Sequence, residues 1–279
     1  MIKTIDVKAG ETAGLYQYLS AAVTPRPIAF VSTIDAEGNK NLSPFSFFNV
    51  FSVNPPILIF SPVRRVRNNT SKHTLDNVHQ VKECVISLVT EEIAQQVSLA
   101  SCDFDTATNE FEKAGFTEVK SDLVTPSRIK ESPVNFECKV TDIITLGEEG
   151  GAGSLVLCEV LKMHIEEDIL DDNNAIDPFK LNIVSRLGAN WYGKTTPESI
   201  YEIAKPISRM GMGIDNLPEE IKNSVILTGN ELAILASAEN IPTKKEFTLR
   251  DEKSTEEKHI LAKELLSQGK AEEAWQILL

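Results

Sequence analysis

Short runs in which apolar and polar positions alternate dominate the first two thirds of the chain. Such alternation has the two-residue period of half-buried strands. "IAFVSTI" (28–34) and "NKNLSPFSFF" (39–48) flank "DAEG", so residues 28–48 are expected to form a β-hairpin, and "PPILIF" (55–60) begins the next strand. Leu75, Val78 and Val81 then have helical spacing, and "ECVISLV" (83–89) returns to strand. "EEIAQQVSLA" (91–100) follows Thr90 with acids in its first turn, the pattern of a capped helix, while "NEFEKAG" is a short helix closed by Gly115. "VNFECKVTDIITL" and "SLVLCEVLKMHIEE" predict two long strands joined by a tip, "GEEGGAG". Hairpins and isolated helices in this order predict a mainly β fold, a Greek-key barrel with α elements, rather than a doubly wound parallel sheet.

Beyond residue 195 the period changes. "TPESIYEIAKPI" and "NELAILASA" have the pattern of short helices, and "STEEKHILAKELLSQGKAEEAWQILL" that of two helices broken near Gly269. The expected organisation is a β domain over 1–195 and a C-terminal α-helical extension over 196–279. Leu261, Leu265, Leu266, Ala274, Ile277 and Leu278 form an apolar stripe that packs against the body or a second subunit.

Composition adds limits. The formal charge is −13, which repels nucleic acid and anionic membranes alike. No apolar run has the length of a membrane span and none at the N-terminus has the form of a signal peptide, so a cytoplasmic location is expected. Cys84, Cys102, Cys138 and Cys158 include no C-x-x-C pair, and three lie in expected strands, which reads as core thiols.

Against this acidic background, the span from Gly38 to Leu75 has no Asp or Glu yet holds Lys40, Arg64, Arg65, Arg67 and Lys72. Two readings fit: a buried strand followed by a basic loop, or a site for an anion. "SPVRRVRNNTSKHTL" crowds hydroxyls, amides and cations before an expected helix, as a phosphate site requires. Upstream, "NLSPFSFFNVFSVNPP" (41–56) holds four of the twelve Phe residues and no charge. Neither side of that strand is cleanly apolar, so it is either a crowded Phe core or the wall for a flat, partly polar ligand.

Other motifs carry less. "GMGIDN" and "GEEGGAG" lack the context of a dinucleotide fingerprint, and "DDNNAID" lacks the Gly and closing Glu of a calcium loop. The four His residues have no metal-ligand spacing, no metal is expected, and no hydrolase motif occurs.

"TPRPIAFVSTIDAEGNKNLSPFSFFNVFSVNPPILIFSP", "KHTLDNV", "NEFEKAGF", "CEVLKMHI" and "SRLGANWY" together resemble the flavin reductase-like FMN-binding split-barrel family over about residues 15–195. The resemblance implies a split β-barrel that dimerises, FMN held near the subunit interface, and electron transfer between flavin and an acceptor. It implies flavin contacts at Ser32, Thr33, Asn41, Ser43, Ser61, Lys72 and Thr74, and Arg26 and Arg186 also match its pattern; Arg67 of the basic loop is a further candidate cation, and His164, at the end of a strand, a lesser one. Ser46, Phe47, Phe48 and Asn49 suit a ring with apolar faces and a polar edge. His73 stands where many relatives carry an acid. No catalytic acid or base is needed, because flavin supplies the redox chemistry. The expected function is an FMN-dependent oxidoreductase that takes electrons from NAD(P)H or a protein donor to flavin or a small acceptor. An FMN-binding electron carrier, or a ligand-binding barrel without a nicotinamide reaction, is the alternative.

Overall fold

In the computed structural model, which describes residues 1–7, 12–105, 108–203, 210–247 and 253–279, the first hairpin forms as β1 (Ala29–Ile34) and β2 (Lys40–Phe45). Asp35 closes its turn, with Oδ1 accepting from the backbone N–H groups of Glu37 and Asn39 at 3.0 and 2.7 Å. The returning strand stops at Phe45, three residues short of the expected end; Ser46 and Phe47 form a bend, and Phe48 opens β3 (Phe48–Val53). The alternation runs straight through this break, so it carries no sign of it. The change of partner does: β2 pairs with β1, whereas β3 pairs with β4 (Pro56–Phe60).

After β4 the chain crosses through the basic loop and α2 (His73–Gln80) to β5 (Glu83–Leu88), which lies beside β1. β8 (Val134–Thr145) and β9 (Ser154–Ile165) are the long hairpin, reached through α3 (Ala94–Leu99), α4 (Glu110–Ala114) and the short pair β6 (Glu118–Val119) and β7 (Arg128–Ile129). The seven main strands make one antiparallel sheet in the order β2-β1-β5-β8-β9-β4-β3. One face of it converges: Val31, Phe45, Phe60, Ile86, Val140 and Val156 share a cluster with Leu75 and Val78 of α2, and Phe48 packs against it. Strands from both ends of the sheet meet in one core because the sheet is curled into a barrel, which is split between β2 and β3. On the outer face Phe30 and Leu42 pack with Val97 of α3 and Phe111 of α4. The buried thiols of Cys84, Cys138 and Cys158 lie in the inner core, and Cys102 is exposed.

Two helical expectations shift. α3 begins at Ala94 rather than directly after Thr90, because the first turn is drawn away by a distant partner: the Glu91 N–H donates to Asn182 O at 3.1 Å. Residues 196–203 form no helix; Thr196 and Ser199 close a turn instead, and part of the expected helix, 204–207, lies outside the described residues. The chain divides into two compact units, Met1–Tyr201 and Glu202–Leu279. The second has its own core, built from α6 (Glu219–Lys222), α7 (Gly229–Ala236), α8 (Thr255–Ser267) and α9 (Ala271–Leu278); α5 (Pro178–Leu181) belongs to the first unit. There Leu235, Leu265, Trp275 and Ile277 are buried together, and the indole N–H of Trp275 donates to Leu235 O at 3.3 Å. The stripe foreseen on the last two helices therefore faces this local core.

Among the described residues, one charged side chain is fully buried. Glu137 of β8 lies under the 121–123 segment and accepts from the backbone N–H of Asp122 at 2.8 Å and of Leu123 at 2.6 Å. His164 Nε2 lies 2.7 Å away and Arg128 Nε 3.8 Å. Burial alone would push the Glu137 carboxyl up, but the two amide bonds and His164 together hold it below the usual carboxylate range. Folding thus favours the ionised form, so its stabilisation is present above the ordinary Glu range, about 4.3, and is lost as pH falls through the lowered value. Glu137→Gln should cost about 1.5 to 3 kcal/mol at pH 7, the scale of a hydrogen bond to a charged group. Urea unfolding of both proteins at pH 7 and near pH 4 checks this. The two stabilities should converge on acidification; parallel pH profiles would contradict the assignment.

Candidate functional site

The split places a two-residue link, Ser46–Phe47, at the open side of the barrel. Ser43, Ser46, Phe47 and Phe48 are half-buried there, and Asn49 is exposed. Phe47 is flanked by the Tyr16 ring, 6.2 Å between centroids, and by the Arg26 guanidinium, 5.7 Å from its centroid. Asn49 uses Oδ1 to accept from the N–H of Val50 at 2.8 Å. The Phe47 carbonyl accepts from Ser61 N–H at 2.8 Å, which ties the link to the residue that opens the basic loop.

That loop is held by the tip of the β8–β9 hairpin. Arg64 N–H donates to Ala152 O at 2.8 Å, Gly151 N–H to Arg64 O at 3.0 Å, and Asn69 Nδ2 to Glu148 O at 3.0 Å. The approach is close enough that a Cβ on Gly150 would lie 3.1 Å from Val66 Cα, which accounts for glycine at the tip. Arg64 is spent inside the loop on Asn69. Arg65, Val66, Arg67, Lys72, Ser101 and Asp103 line a cleft of about 380 Å³. Arg65 is fixed by Thr70 Oγ1 at 3.1 Å and by Ser71 O, and pairs with Asp103 at 2.9 Å. Arg67 pairs with the other Asp103 oxygen at 3.2 Å. Lys72 is half-buried, and its ammonium has no hydrogen-bond or ion-pair partner among the described residues. Burial pushes its pKa down, as does the neighbouring Arg65, while Asp103 pulls it up. Three cations therefore face one carboxylate, a cleft that suits a dianion.

Near the β1–β2 turn, several foreseen residues are committed to one another. Thr74 Oγ1 donates to Asn41 Oδ1 at 3.1 Å, and Asn77 Nδ2 to Thr33 Oγ1 at 3.1 Å. Glu110 Oε2 accepts from Leu42 N–H at 3.0 Å and from Asn41 Nδ2 at 3.4 Å. Ser32 is buried on β1, and Ser61 is buried at the end of β4. His164 belongs to the Glu137 cluster, on the outer face of the sheet beneath the 121–123 segment.

A second pocket, about 700 Å³, lies between α1 (Thr12–Ala22) and the turn between β10 (Val184–Arg186) and β11 (Tyr192–Lys194). Tyr16, Tyr18, Arg26, Arg186 and Trp191 are among its walls. A Cβ on Gly188 would lie 2.7 Å from Ala21 Cβ, so glycine permits this contact. Arg26 is buried and donates to Val23 O at 2.7 Å, Leu187 O at 3.0 Å and Ser20 O, but to no carboxylate, and its Nε lacks a partner among the described residues. Burial lowers its pKa. Arg186 stacks on Tyr192 at 4.5 Å and donates to Ala189 O at 2.6 Å. A phosphate-bearing, flat, partly polar group such as FMN fits these features: uncompensated cations, an aromatic wall and an unpartnered buried donor.

Arg65, Asp103 and the pocket aromatics went unforeseen as site residues. The "VRRVR" run contained the signal for Arg65; Asp103 had none, being brought in by the fold from beyond α3.

Comparison with known proteins bears on the family and the fold. An uncharacterized protein of Aquifex aeolicus is 38% identical over 192 residues, covering 69% of this chain and 95% of the relative. The crystal structure of nitrilotriacetate monooxygenase component B from Bacillus cereus superposes with a TM-score of 0.68 at 26% identity, covering 73% of this chain and 99% of that one. The 2-nitrobenzoate 2-nitroreductase of Pseudomonas fluorescens gives 0.66 at 27%, covering 76% and 100%. Residues 21–180 match the flavin reductase like domain, and with the split barrel this makes the chain a member of the flavin reductase-like family.

Proposed function

We propose that the protein binds FMN and acts as an FMN-dependent oxidoreductase, taking electrons from NAD(P)H or a protein donor and passing them to flavin or a small acceptor. The observation that carries this reading is the cleft of Arg65, Arg67 and Lys72 joined through Ser61 to the Phe47 link at the split. Arg67 and Lys72, with Arg65, would hold the phosphate; Ser43, Ser46, Phe47, Phe48 and Asn49 would line the ring. Thr33, Asn41 and Thr74, buried where α2 packs on the β1–β2 hairpin, would stand toward the ribityl chain and phosphate. Bound flavin supplies the hydride and electron transfer, so the residues of this chain need only bind, orient and control access. Arg26 and Arg186 contribute cations without carboxylate partners among the described residues, which favour a ligand that gains negative charge. The nitroreductase and monooxygenase component among the similar structures support a redox role with a small acceptor.

The reading includes a homodimer. β3 is an edge strand on which Val50, Phe51 and Val53 are 58%, 64% and 86% exposed, an apolar row that a second subunit would cover. A cytoplasmic setting suits four free cysteines, one of them exposed. Among the described residues, no helix is long and apolar enough to cross a membrane.

The decisive measurement is the absorption spectrum of freshly purified protein before and after anaerobic NADH or NADPH. A yellow protein bleached by either nucleotide is expected; a yellow protein that stays yellow is a carrier awaiting a protein donor, and a colourless one that ignores FMN removes the proposal. Lys72→Ala should weaken FMN binding by about 1.5 to 3 kcal/mol, the range for a charge-assisted hydrogen bond, and riboflavin binding much less. Equal losses in a fluorescence titration would detach Lys72 from the phosphate. Light scattering should give a dimer for the native chain and a monomer for Phe51→Glu. A native monomer with full FMN occupancy would rule out the shared interface.

A further inference from the structure

The cations of the cleft already have an anion. Arg65 Nε donates to Asp103 Oδ1 at 3.0 Å, and Arg67 Nη2 to Asp103 Oδ2 at 3.2 Å. The two sides of this contact are held very differently. Arg65 is largely buried, bonded to Thr70 and Ser71, and its loop is clamped by the hairpin tip. Asp103 is 51% exposed, lies in an irregular segment after α3, and its carboxylate is bonded to nothing among the described residues except Arg65 and Arg67. The cationic side is preorganised, and the carboxylate can turn into water at little structural cost.

We propose that Asp103 is a built-in competitor for the cleft, a carboxylate that any incoming phosphate monoester must displace and that thereby weakens the hold on FMN. The inference rests on the phosphate assignment made above. A carboxylate and a phosphate both accept from the forked guanidinium of arginine, so they compete for the same donors. Exchange of one carboxylate charge for a phosphate dianion is favourable when three cations are present. Its gain is smaller than for the same cations without Asp103, since an existing pair is broken first. No covalent step is involved: the Arg65 and Arg67 hydrogen bonds pass from one anion to the other.

Fluorescence titrations on the full chain with FMN and riboflavin test this, run in parallel on the native protein, Asp103→Asn, Asp103→Ser and Lys72→Ala. Both Asp103 variants should bind FMN about threefold to tenfold more tightly, leave riboflavin unchanged, and lose FMN affinity more steeply as salt rises, because more net charge is neutralised on binding. Inorganic phosphate should raise the melting temperature of both Asp103 variants more than that of the native chain. If Lys72→Ala weakens FMN selectively but neither Asp103 variant tightens it, Asp103 merely positions Arg65 and the inference is overturned while the phosphate site stands. If Lys72→Ala affects FMN and riboflavin alike, the phosphate assignment fails and the competitor role falls with it.

Discussion

Backbone hydrogen bonding runs without interruption through seven strands and stops between β2 and β3, which are consecutive in the chain. The Phe47 link and the basic loop are arranged around this one gap. A sheet curled upon itself leaves its last two edges near each other, and unpaired N–H and C=O groups there need partners or solvent. The chain crosses the gap in two residues. That brevity keeps Phe47 within reach of Ser61, and hence keeps the open side of the barrel next to the basic loop. Geometry that makes a defect in a sheet also sets an open edge beside a cluster of cations.

Charge is managed in the same local way. A protein with a formal charge of −13 holds cations at the cleft by making their positions costly to change. Arg65 is anchored by loop oxygens, and Arg26 by the carbonyls of Ser20 in α1, Val23 just after it, and Leu187. Glu137 is the mirror case, an anion anchored beneath a loop by two backbone amides and by the ring nitrogen of His164. Arg65 and Glu137 are satisfied by donors or acceptors of fixed direction, as the low dielectric around them requires, whereas Arg26 keeps a buried Nε without a partner among the described residues.

Much of this was legible in the sequence where a signal is local. The β1–β2 turn, the long hairpin and α4 follow from alternation, turn residues and caps close to one another, and Arg67 and Lys72 stood out because no acid lies within their window. What escaped is non-local. The end of β2 depends on which strand Phe48 pairs with, and the start of α3 on Asn182, some ninety residues downstream. His164 reads as one polar position in an alternating strand; its commitment to Glu137 appears only when β8 and β9 are set in register with the 121–123 segment above them. Asp103 is an ordinary acid in an ordinary loop until the fold sets it against Arg65.

The clamp between the β8–β9 tip and the basic loop bears on how this chain can vary. Surface hairpins usually absorb insertions and deletions, because their tips touch only water. Here the tip's carbonyls and amides are bonded to Arg64 and Asn69, and its Gly150 lies against the backbone of Val66. A residue added at 147–153 would move the cations of the cleft with it. Length change is therefore tolerated more readily at the Asp35 turn, whose polar groups are satisfied mostly within the turn itself, and the hairpin tip is bound to keep its size for as long as the cleft keeps its use.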